Sequence, residues 1–465
     1  PLAIDFIESS QNTPRVQMMC YQLASYYFKR KDFADALTYY NKSGIDNLTN
    51  SEIAEMKFNK GYCYFSTQQF NEAKPLFNAV RQIKSDPNYH DANYYYGFIL
   101  FSEKNYTEAL PCFMIAEADA TYQSIVPFYI AEIYYFEGER DKALSYALQS
   151  IKKGNQYYEL PLKQLIGHLY FEGREYAAAL PYLQEYVQKN TKVGREDLYE
   201  LSYCYYAAGN WMKSIDGFKQ LGGKEDSLAQ NSMYLLADAY LKTQQKQNAR
   251  NAFLFCASNN SNPTQKEISV FSYAKLSYEL GYLDIALKEL RNFETKYPTS
   301  NYINEAKELE VSVLANTSNF KDALILFESL PSQSENVQKI YPRILYGRAV
   351  ELINDQRIDS ANTLLTRALQ MPFNQAQLQF IDFWKGEIAY RNGNLDEAIL
   401  YLTDYLKNPQ VNGEVNMLHA KYTLAYCLIK KEDYKSALEY FQQLTKTISF
   451  NASAIEQDAY IRAAD

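Results

Sequence analysis

The sequence predicts an all-α protein in which about twelve helix–turn–helix repeats are stacked one after another. Three observations support this prediction. An alanine recurs at intervals of 34 to 39 residues, a second small residue precedes it by twelve positions, and a large apolar residue follows it by four. Such a period is typical of solenoids, in which a single hairpin cannot bury its apolar face and neighbouring hairpins cover it. The recurring position, which holds serine once, is Ala36, Ala73, Ala109, Ala143, Ala179, Ser214, Ala249, Ala286, Ala323, Ala361, Ala398 and Ala437.

The first helix of each repeat is marked by the small residue twelve positions before the alanine. Apolar residues surround it at helical spacing. The position holds a small residue in every repeat except one, where it is Val311. Two helices approach to ~8 Å only where small side chains meet, so these positions predict the contact within each hairpin. They are Ala24, Gly61, Gly97, Ala131, Gly167, Ser202, Ala237, Ala274, Val311, Ala349, Gly386 and Ala425.

A short polar turn separates the two helices of each repeat. Examples are STQQ at 66–69, SEKN at 102–105, EGER at 137–140 and RNGN at 391–394. Clusters of polar residues and glycine between two apolar segments of helical period indicate a turn.

The second helix carries the recurring alanine and, four residues later, a large apolar side chain that we expect to fill the space toward the next repeat. Pro75, Pro111 and Pro181 follow the alanine by two residues. This spacing predicts that they lie in the opening turns of the second helix, where proline costs little. Ala147 is the exception among the large residues, which are Tyr40, Phe77, Phe113, Leu183, Phe218, Phe253, Leu290, Phe327, Leu365, Leu402 and Phe441.

Composition agrees with a helical chain and argues against several classes of function. The 465 residues include 44 tyrosines but only 17 glycines, which suits helices better than a Gly-rich nucleotide fold. The net charge of −8 argues against a nucleic-acid partner, because that binding relies on Lys and Arg. No apolar run reaches ~18 residues and no signal peptide is visible, so the chain is not predicted to span a membrane.

No catalytic, cofactor-binding or metal-binding motif is apparent. His90, His168 and His419 belong to different repeats, and no Walker loop, H-E-x-x-H or Gly-x-Ser-x-Gly occurs. The six cysteines form no C-x-x-C pair, and buried thiols explain them better than disulfides. We therefore predict a protein that is not an enzyme and uses no cofactor and no metal.

The pattern resembles the tetratricopeptide repeat family over about residues 24–445. The resemblance is weakest at Leu314, Leu352 and Ala389, which occupy the family's tyrosine position. It implies a right-handed superhelix of helical hairpins. First helices would line its concave face and second helices its convex face. The family's tyrosine corresponds to Tyr27, Tyr64, Tyr134, Tyr170, Tyr205 and Tyr240, and its turn aromatic to Phe33, Phe70, Tyr106, Tyr176, Trp211, Phe320 and Tyr434.

The domain organisation predicted from the repeats is one continuous array with an incomplete repeat at each end. Residues 1–12 are predicted to be the tail of a preceding helix, and 13–222 to be repeats one to six. Residues 223–449 then form repeats seven to twelve, with a longer period, and 450–465 the first helix of a further repeat. No capping helix with a polar outer face is apparent, so we expect a fragment truncated at both ends.

The resemblance also implies a binding groove. In the family, the positions three before, one after and four after the small residue face the concave surface, and here they are rich in aromatic residues. Aromatic rings provide large contact areas at small entropic cost. Alternatively, the same rings only pack neighbouring first helices together, and His168, which occupies one of these positions, only lines the surface as a polar residue. The groove candidates are Tyr21, Phe58, Tyr62, Phe65, Tyr94, Phe98, Phe101, Phe128, His168, Tyr199, Tyr203, Tyr206 and Tyr234.

Three functions follow from these expectations. The first is a non-catalytic scaffold that binds peptide or protein segments along the groove. The alternatives are a substrate-recruiting region of a larger enzyme and a glycan-binding region of an envelope complex, since aromatic rings also stack on sugars. Some members of the family bind chaperone tails that end in carboxylates through Lys, Asn and Arg at these groove positions. That mode is disfavoured here, because aromatic residues occupy the same positions. The tyrosine-rich style is similar to that of large bacterial members and favours the periplasm, whereas unpaired cysteines favour the cytoplasm.

Overall fold

The computed structural model describes residues 2–446 and 452–465, and these residues are almost entirely helical. They form 26 α-helices and no β-strand, with one isolated bridge between Asn412 and Val415. The predicted all-α class is confirmed, and helices pack consecutively as in an α-solenoid. Residue 1 and the predicted boundary at 449/450 lie outside the described residues.

The chain divides into two compact units, of which unit 1 comprises residues 1–222. Its helices are α1 Leu2–Ser9, α2 Thr13–Lys29, α3 Phe33–Lys42, α4 Asn50–Ser66, α5 Phe70–Val80, α6 Tyr89–Ser102, α7 Tyr106–Glu117, α8 Val126–Phe136, α9 Arg140–Lys153, α10 Glu159–Glu172, α11 Tyr176–Lys189, α12 Arg195–Ala207 and α13 Trp211–Lys219.

Unit 2 comprises residues 223–465. Its helices are α14 Ser227–Lys242, α15 Lys246–Ser258, α16 Pro263–Glu279, α17 Leu283–Lys296, α18 Ile303–Asn316, α19 Phe320–Ser329, α20 Glu335–Asn354, α21 Ile358–Gln370, α22 Leu378–Arg391, α23 Leu395–Lys407, α24 Met417–Lys430, α25 Tyr434–Thr445 and α26 Ala454–Ala464. In both units the even-numbered helices are the first helices of hairpins, and the odd-numbered helices from α3 to α25 are the second helices.

Several helices begin at residues that satisfy the free backbone N–H groups of the first turn. Thr49 and Glu52 form a capping box at the start of α4, in which each side chain bonds the other residue's backbone N–H. Proline, which lacks an N–H, occupies the first turn of α8 at Pro127 and begins α16 at Pro263. The starts of these helices are therefore encoded locally.

The small residue of each first helix allows the close approach that the spacing predicts. A Cβ atom added to Gly167 would lie 2.7 Å from Cγ of Leu183, and one added to Gly386 would lie 2.6 Å from Cγ of Leu402. In both cases the small residue lies under the large residue sixteen positions later, which belongs to the same hairpin. The close approach at the small residue of the first helix is confirmed, but its partner in these two hairpins is the large residue, which was expected to face only the next repeat.

The large residue has two contacts rather than the single one expected. It covers the small residue of its own hairpin and also reaches the next first helix. The ring of Phe77 stacks on that of Tyr95 with centroids 5.3 Å apart, and Phe113 stacks on Tyr129 at 5.1 Å. One side chain therefore joins three helices, and the core of each unit continues from hairpin to hairpin.

The prolines of the second helices lie in the opening turns, as predicted, but beyond the first residues, whose N–H groups lack an intrahelical partner. Pro75 is the sixth residue of α5, and the backbone N–H of Ala73 already donates to the carbonyl of Gln69. The helical hydrogen-bond ladder has therefore begun before the proline, which removes one of its bonds. Pro111 and Pro181 occupy the sixth positions of α7 and α11 in the same way. The expected reason for a low cost, an N–H group without an intrahelical partner, therefore does not hold at these places.

The six cysteines confirm the prediction of buried thiols. All six are free and buried, and burial raises the pKa of Cys63 and of Cys204 to about 12. A thiol with so high a pKa is uncharged at neutral pH and behaves as a small apolar group.

Candidate functional site

The first helices of unit 1 lie side by side. α2 contacts α4, α6 contacts α8, α8 contacts α10, and α10 contacts α12, whereas no two second helices of unit 1 contact each other as extensively. We call the surface formed by α2, α4, α6, α8, α10 and α12 the first-helix face. It brings residues from successive repeats into one continuous surface.

The structure places the aromatic candidates of unit 1 on or just beneath this face. Tyr21 and Phe58 are buried in the core. Tyr234 belongs to α14 of unit 2, where it is half-buried and lies 6.1 Å from Phe253. The remaining candidates of unit 1 are half-buried, and these are Tyr62, Phe65, Tyr94, Phe98, Phe101, Phe128, His168, Tyr199, Tyr203 and Tyr206.

The half-buried rings form a continuous series of edge-to-face contacts that also includes the buried ring of Tyr129. Phe65 lies 4.9 Å from Tyr95 and 5.4 Å from Phe98, and Phe98 lies 5.8 Å from Tyr129. Phe101 lies 5.3 Å from the same tyrosine. Each such pair contributes about 0.5–1.5 kcal/mol beyond the area that it buries. The rings therefore pack the first helices together, and their remaining surface is held in a fixed orientation.

A second aromatic group lies on α10 and α12. Tyr203 lies 5.5 Å from Phe171 and 4.9 Å from Tyr176, and the ring of Tyr206 lies 5.3 Å from Trp211. Tyr199 also contacts Phe171, at 6.3 Å. The candidates on α12 thus make contacts with the preceding hairpin and with their own second helix.

Residues of α8, α10 and α12 line an open polar pocket of about 330 Å³. We call it the His168 pocket. The side chains that define it are Glu132 and Tyr135 of α8, Gln164 and His168 of α10, and Asp197 and Glu200 of α12.

Hydrogen bonds connect the three helices across the His168 pocket. Nδ1 of His168 lies 2.6 Å from Oε1 of Glu200, and its Nε2 lies 2.9 Å from the hydroxyl of Tyr135. Nε2 of Gln164 donates to Oδ1 of Asp197 at 2.6 Å. The histidine ring therefore bridges the repeats on either side of it.

The electrostatics of the pocket reflect burial and this bridge. The hydrogen bond to Glu200 raises the pKa of His168, which favours its protonated form. Burial alone raises the pKa of Glu132 to about 6. Oε2 of Glu200 is buried and has no hydrogen-bond partner, although the first oxygen of the same carboxylate is bonded.

The sequence matches two family models described as tetratricopeptide repeat. One covers residues 346–412, and the other covers 54–87 and 418–448, so that both units contain matched segments. These segments are tetratricopeptide repeats. Such repeats generally mediate protein–protein interactions and typically form non-catalytic scaffolds. No curated protein matches the sequence.

Several solved structures are similar to this chain. A tetratricopeptide repeat protein from Parabacteroides merdae is 17% identical, with 57% of this chain and 99% of that chain covered and a TM-score of 0.33. The C-terminal part of one from Cytophaga hutchinsonii is 15% identical, with 62% and 98% covered and a TM-score of 0.35. Yeast Tom70 is 14% identical, with 97% and 95% covered and a TM-score of 0.25.

The tetratricopeptide repeat register explains which residues of the pocket the sequence reveals. Glu132 and His168 both follow the small residue of their repeat by one position, Tyr135 follows it by four, and Gln164 precedes it by three. His168 is one of the predicted groove candidates and Tyr135 is an aromatic residue at such a position, and reading these positions for polar side chains would also have found Glu132 and Gln164. Asp197 and Glu200 occupy other positions, and no pattern in the sequence marks them.

Metal chemistry and membrane insertion receive no support from the described part of the chain. Over residues 2–446 and 452–465, no group of three His, Cys, Asp or Glu side chains is arranged to hold a metal ion. Within the same ranges, no helix is long and apolar enough to cross a membrane.

Proposed function

We propose that this chain is a non-catalytic scaffold that binds a segment of a partner protein along the first-helix face of unit 1. The observation that supports the proposal best is the series of half-buried tyrosine and phenylalanine rings on the neighbouring helices α4, α6 and α8. The series ends at the His168 pocket, so one bound segment would meet an aromatic surface followed by a polar one.

The rings of this surface are suited to binding a partner because they lose little conformational entropy when it docks. Tyr62, Phe65 and Phe98 are already held by neighbouring rings, so binding immobilises few additional side-chain rotations. A surface that is ordered before binding loses less entropy when a partner docks. Aromatic residues are also frequent among those that dominate the free energy of protein association. The exposed parts of these rings are therefore suited to anchor a bound segment.

Site-specific photo-crosslinking tests the proposal without removing the aromatic rings. Peptides would first be selected from a random twelve-residue library against the whole chain. The photoreactive residue p-benzoylphenylalanine would then replace Tyr62 or Phe98 on the first-helix face. We expect the selected peptides to crosslink at both positions, because both rings contact the bound segment.

The matched control replaces Tyr182 by the same photoreactive residue. Tyr182 is also half-buried and aromatic, but it lies on the second helix α11. We expect no crosslink there. The proposal is wrong if the library yields no binding peptide, or if crosslinking at position 182 equals that at positions 62 and 98.

A further inference from the structure

The side chain of His168 connects three consecutive first helices. It lies on α10, its Nδ1 lies 2.6 Å from Oε1 of Glu200 on α12, and its Nε2 lies 2.9 Å from the hydroxyl of Tyr135 on α8. Neighbouring first helices contact each other less extensively than the two helices of one hairpin do. This one side chain, which we call the His168 bridge, therefore joins repeats four, five and six where their direct contact is small.

Carboxylates face the ring of His168 from several helices. Within the described part of the chain, no residue of α9 or α11 lines the pocket, and Arg140 at the start of α9 is bonded to Glu172 with Nε and Oε2 2.9 Å apart. The titratable groups that face the ring from α8, from α10 itself and from α12 are, respectively, Glu132 and Tyr135, Glu172, and Glu196, Asp197 and Glu200.

Glu200 is the carboxylate that depends most on His168. It is only 6% exposed, and its Oε2 has no hydrogen-bond partner among the described residues. Asp197, by contrast, accepts a hydrogen bond from the amide of Gln164, and Glu172 is paired with an arginine. A buried carboxylate is costly unless an opposite charge compensates it. The imidazolium form of His168 supplies that positive charge.

Both protonation states of His168 keep the two hydrogen bonds, but they differ in strength. The charged ring donates from Nδ1 to Glu200 and from Nε2 to the hydroxyl of Tyr135. The neutral ring with its proton on Nδ1 still donates to Glu200, while Nε2 accepts from Tyr135 instead. Loss of the proton removes the attraction between opposite charges at the buried carboxylate. The proton therefore changes the strength of the bridge while its geometry is kept.

We propose that the His168 bridge is a pH-sensitive connection between repeats four, five and six, tight while the imidazole is protonated and looser once the proton has left. The inference goes beyond the proposed function, because it concerns the first-helix face itself and holds with or without a bound partner. The hydrogen bond to Glu200 raises the pKa of His168 above its usual 6.5. The added stability is therefore fully present below pH 6.5 and is lost as the pH rises through the pKa of the folded state.

A second titration in the pocket falls in a lower pH range. Burial raises the pKa of Glu132 from 4.5 to about 6, so the stability attributable to this carboxyl is lost mainly between these two values. Measurements between pH 6.5 and pH 8.5 therefore report mainly on His168.

Hydrogen exchange at pH 6.5 and pH 8.5 measures the connection in the wild-type chain. Rates are corrected for the intrinsic pH dependence of exchange and measured where they report the opening equilibrium. We expect the slowest amides of α8, α10 and α12 to lose protection severalfold at the higher pH, while those of α2 and α4 in the same unit change little. His168→Gln keeps a donor and an acceptor but does not titrate, so it should abolish the difference.

Nuclear magnetic resonance of the histidine rings follows the titration directly. The chain contains three histidines, and His168→Gln assigns the signal of interest. We expect the pKa of His168 to lie above 6.5 in the wild type and to fall in Glu200→Gln, which removes the partner's charge. The matched control is Glu305→Gln, which removes a carboxylate bonded to Lys275 in unit 2 at 2.7 Å and should leave the titration unchanged.

Three results would overturn the inference. They are equal protection of α8, α10 and α12 at the two pH values, the same loss of protection in His168→Gln as in the wild type, and an unchanged titration of His168 in Glu200→Gln. Circular dichroism at both pH values checks that each variant is folded. The wild-type comparison needs no substitution, so it decides the question even if a variant is unstable.

Discussion

One residue in every hairpin turn adopts a left-handed backbone conformation, always five positions before the recurring alanine. Glycine occupies this position at Gly138, Gly209, Gly281 and Gly393. The hydrogen bonds are the same with and without glycine, since the N–H of the following residue donates to a carbonyl five residues earlier. The other eight turns place a side chain there, and these residues are Lys31, Gln68, Lys104, Arg174, Gln244, Ser318, Gln356 and Glu432.

We predict that Lys104→Gly stabilises the protein. Lys104 has φ of 61°, and a left-handed residue with a Cβ costs roughly 1–2 kcal/mol, which exceeds the extra entropy of glycine in the unfolded chain. The net gain should be about 0.5–1 kcal/mol and should appear as a higher midpoint of thermal unfolding. The reverse change, Gly138→Ala, should lower the midpoint. A lower midpoint for Lys104→Gly would contradict this explanation.

A buried carboxyl pair predicts a pH-dependent stability. Burial and the neighbouring carboxyl of Glu310 raise the pKa of Glu294 well above its usual 4.5, while Arg291 bonds Glu310 at 2.7 Å. The folded state therefore keeps a proton on Glu294 that the unfolded state loses above about pH 4.5. Stability attributable to this group falls as the pH rises from that value, by at most about 1.4 kcal/mol per pH unit.

The variant Glu294→Gln isolates this effect, because glutamine remains neutral at every pH. We expect the variant to gain thermal stability relative to the wild type at pH 8 and to show a much smaller difference at pH 5. The measurement is the difference between the two unfolding midpoints at each pH, and an equal difference at both values would rule out the explanation.

The hairpin is the smallest unit of packing that the sequence encodes. Its contact joins a small residue of the first helix to a large residue sixteen positions later. The available space nevertheless differs between hairpins, because a Cβ on Gly167 would lie 2.7 Å from Leu183 while one on Gly61 would lie 3.2 Å from Phe77. The same pair of positions therefore tolerates alanine in some hairpins and not in others.

This difference predicts unequal effects of the same substitution. Gly167→Ala should destabilise the protein by about 1–3 kcal/mol, because Leu183 and its backbone must shift. Gly61→Ala should be nearly neutral, because the better helix propensity of alanine, ~1 kcal/mol, offsets a smaller adjustment. Thermal unfolding of the two variants provides the comparison. Equal losses at both sites would show that the distances do not control tolerance.

Each unit of the molecule is built from contacts between neighbours in sequence. Within a unit, each helix packs against the helices before and after it, and the core of unit 2 continues from Val311 to Leu424 through such contacts. In a chain of this type, stability is approximately a sum over repeats and over the interfaces between them. A defect in one repeat is therefore felt most by its immediate neighbours.

We predict that the effect of Leu365→Ala is local. Leu365 lies on α21 and is completely buried, so its truncation should cost about 2–5 kcal/mol in that part of the core. Hydrogen exchange should accelerate in α20–α23 and stay unchanged in α14 and α15, which belong to the same unit. The control Leu400→Ala removes an exposed side chain of α23 and should change little. Uniform acceleration throughout unit 2 would show a single cooperative unit instead.

The sequence alone determined the helical class and the repeat period, because helical spacing is local and the same pattern recurs along the chain. It marked the small residue where the two helices of a hairpin approach, but not that the large residue sixteen positions later covers it. It did not determine how deep each aromatic side chain lies, and Tyr21 and Phe58 are buried although their register matches that of half-buried rings. Only the tertiary structure brought Glu132, His168 and Glu200 to one pocket. That arrangement depends on the angle between successive hairpins, which is set by packing between repeats and not by spacing within one.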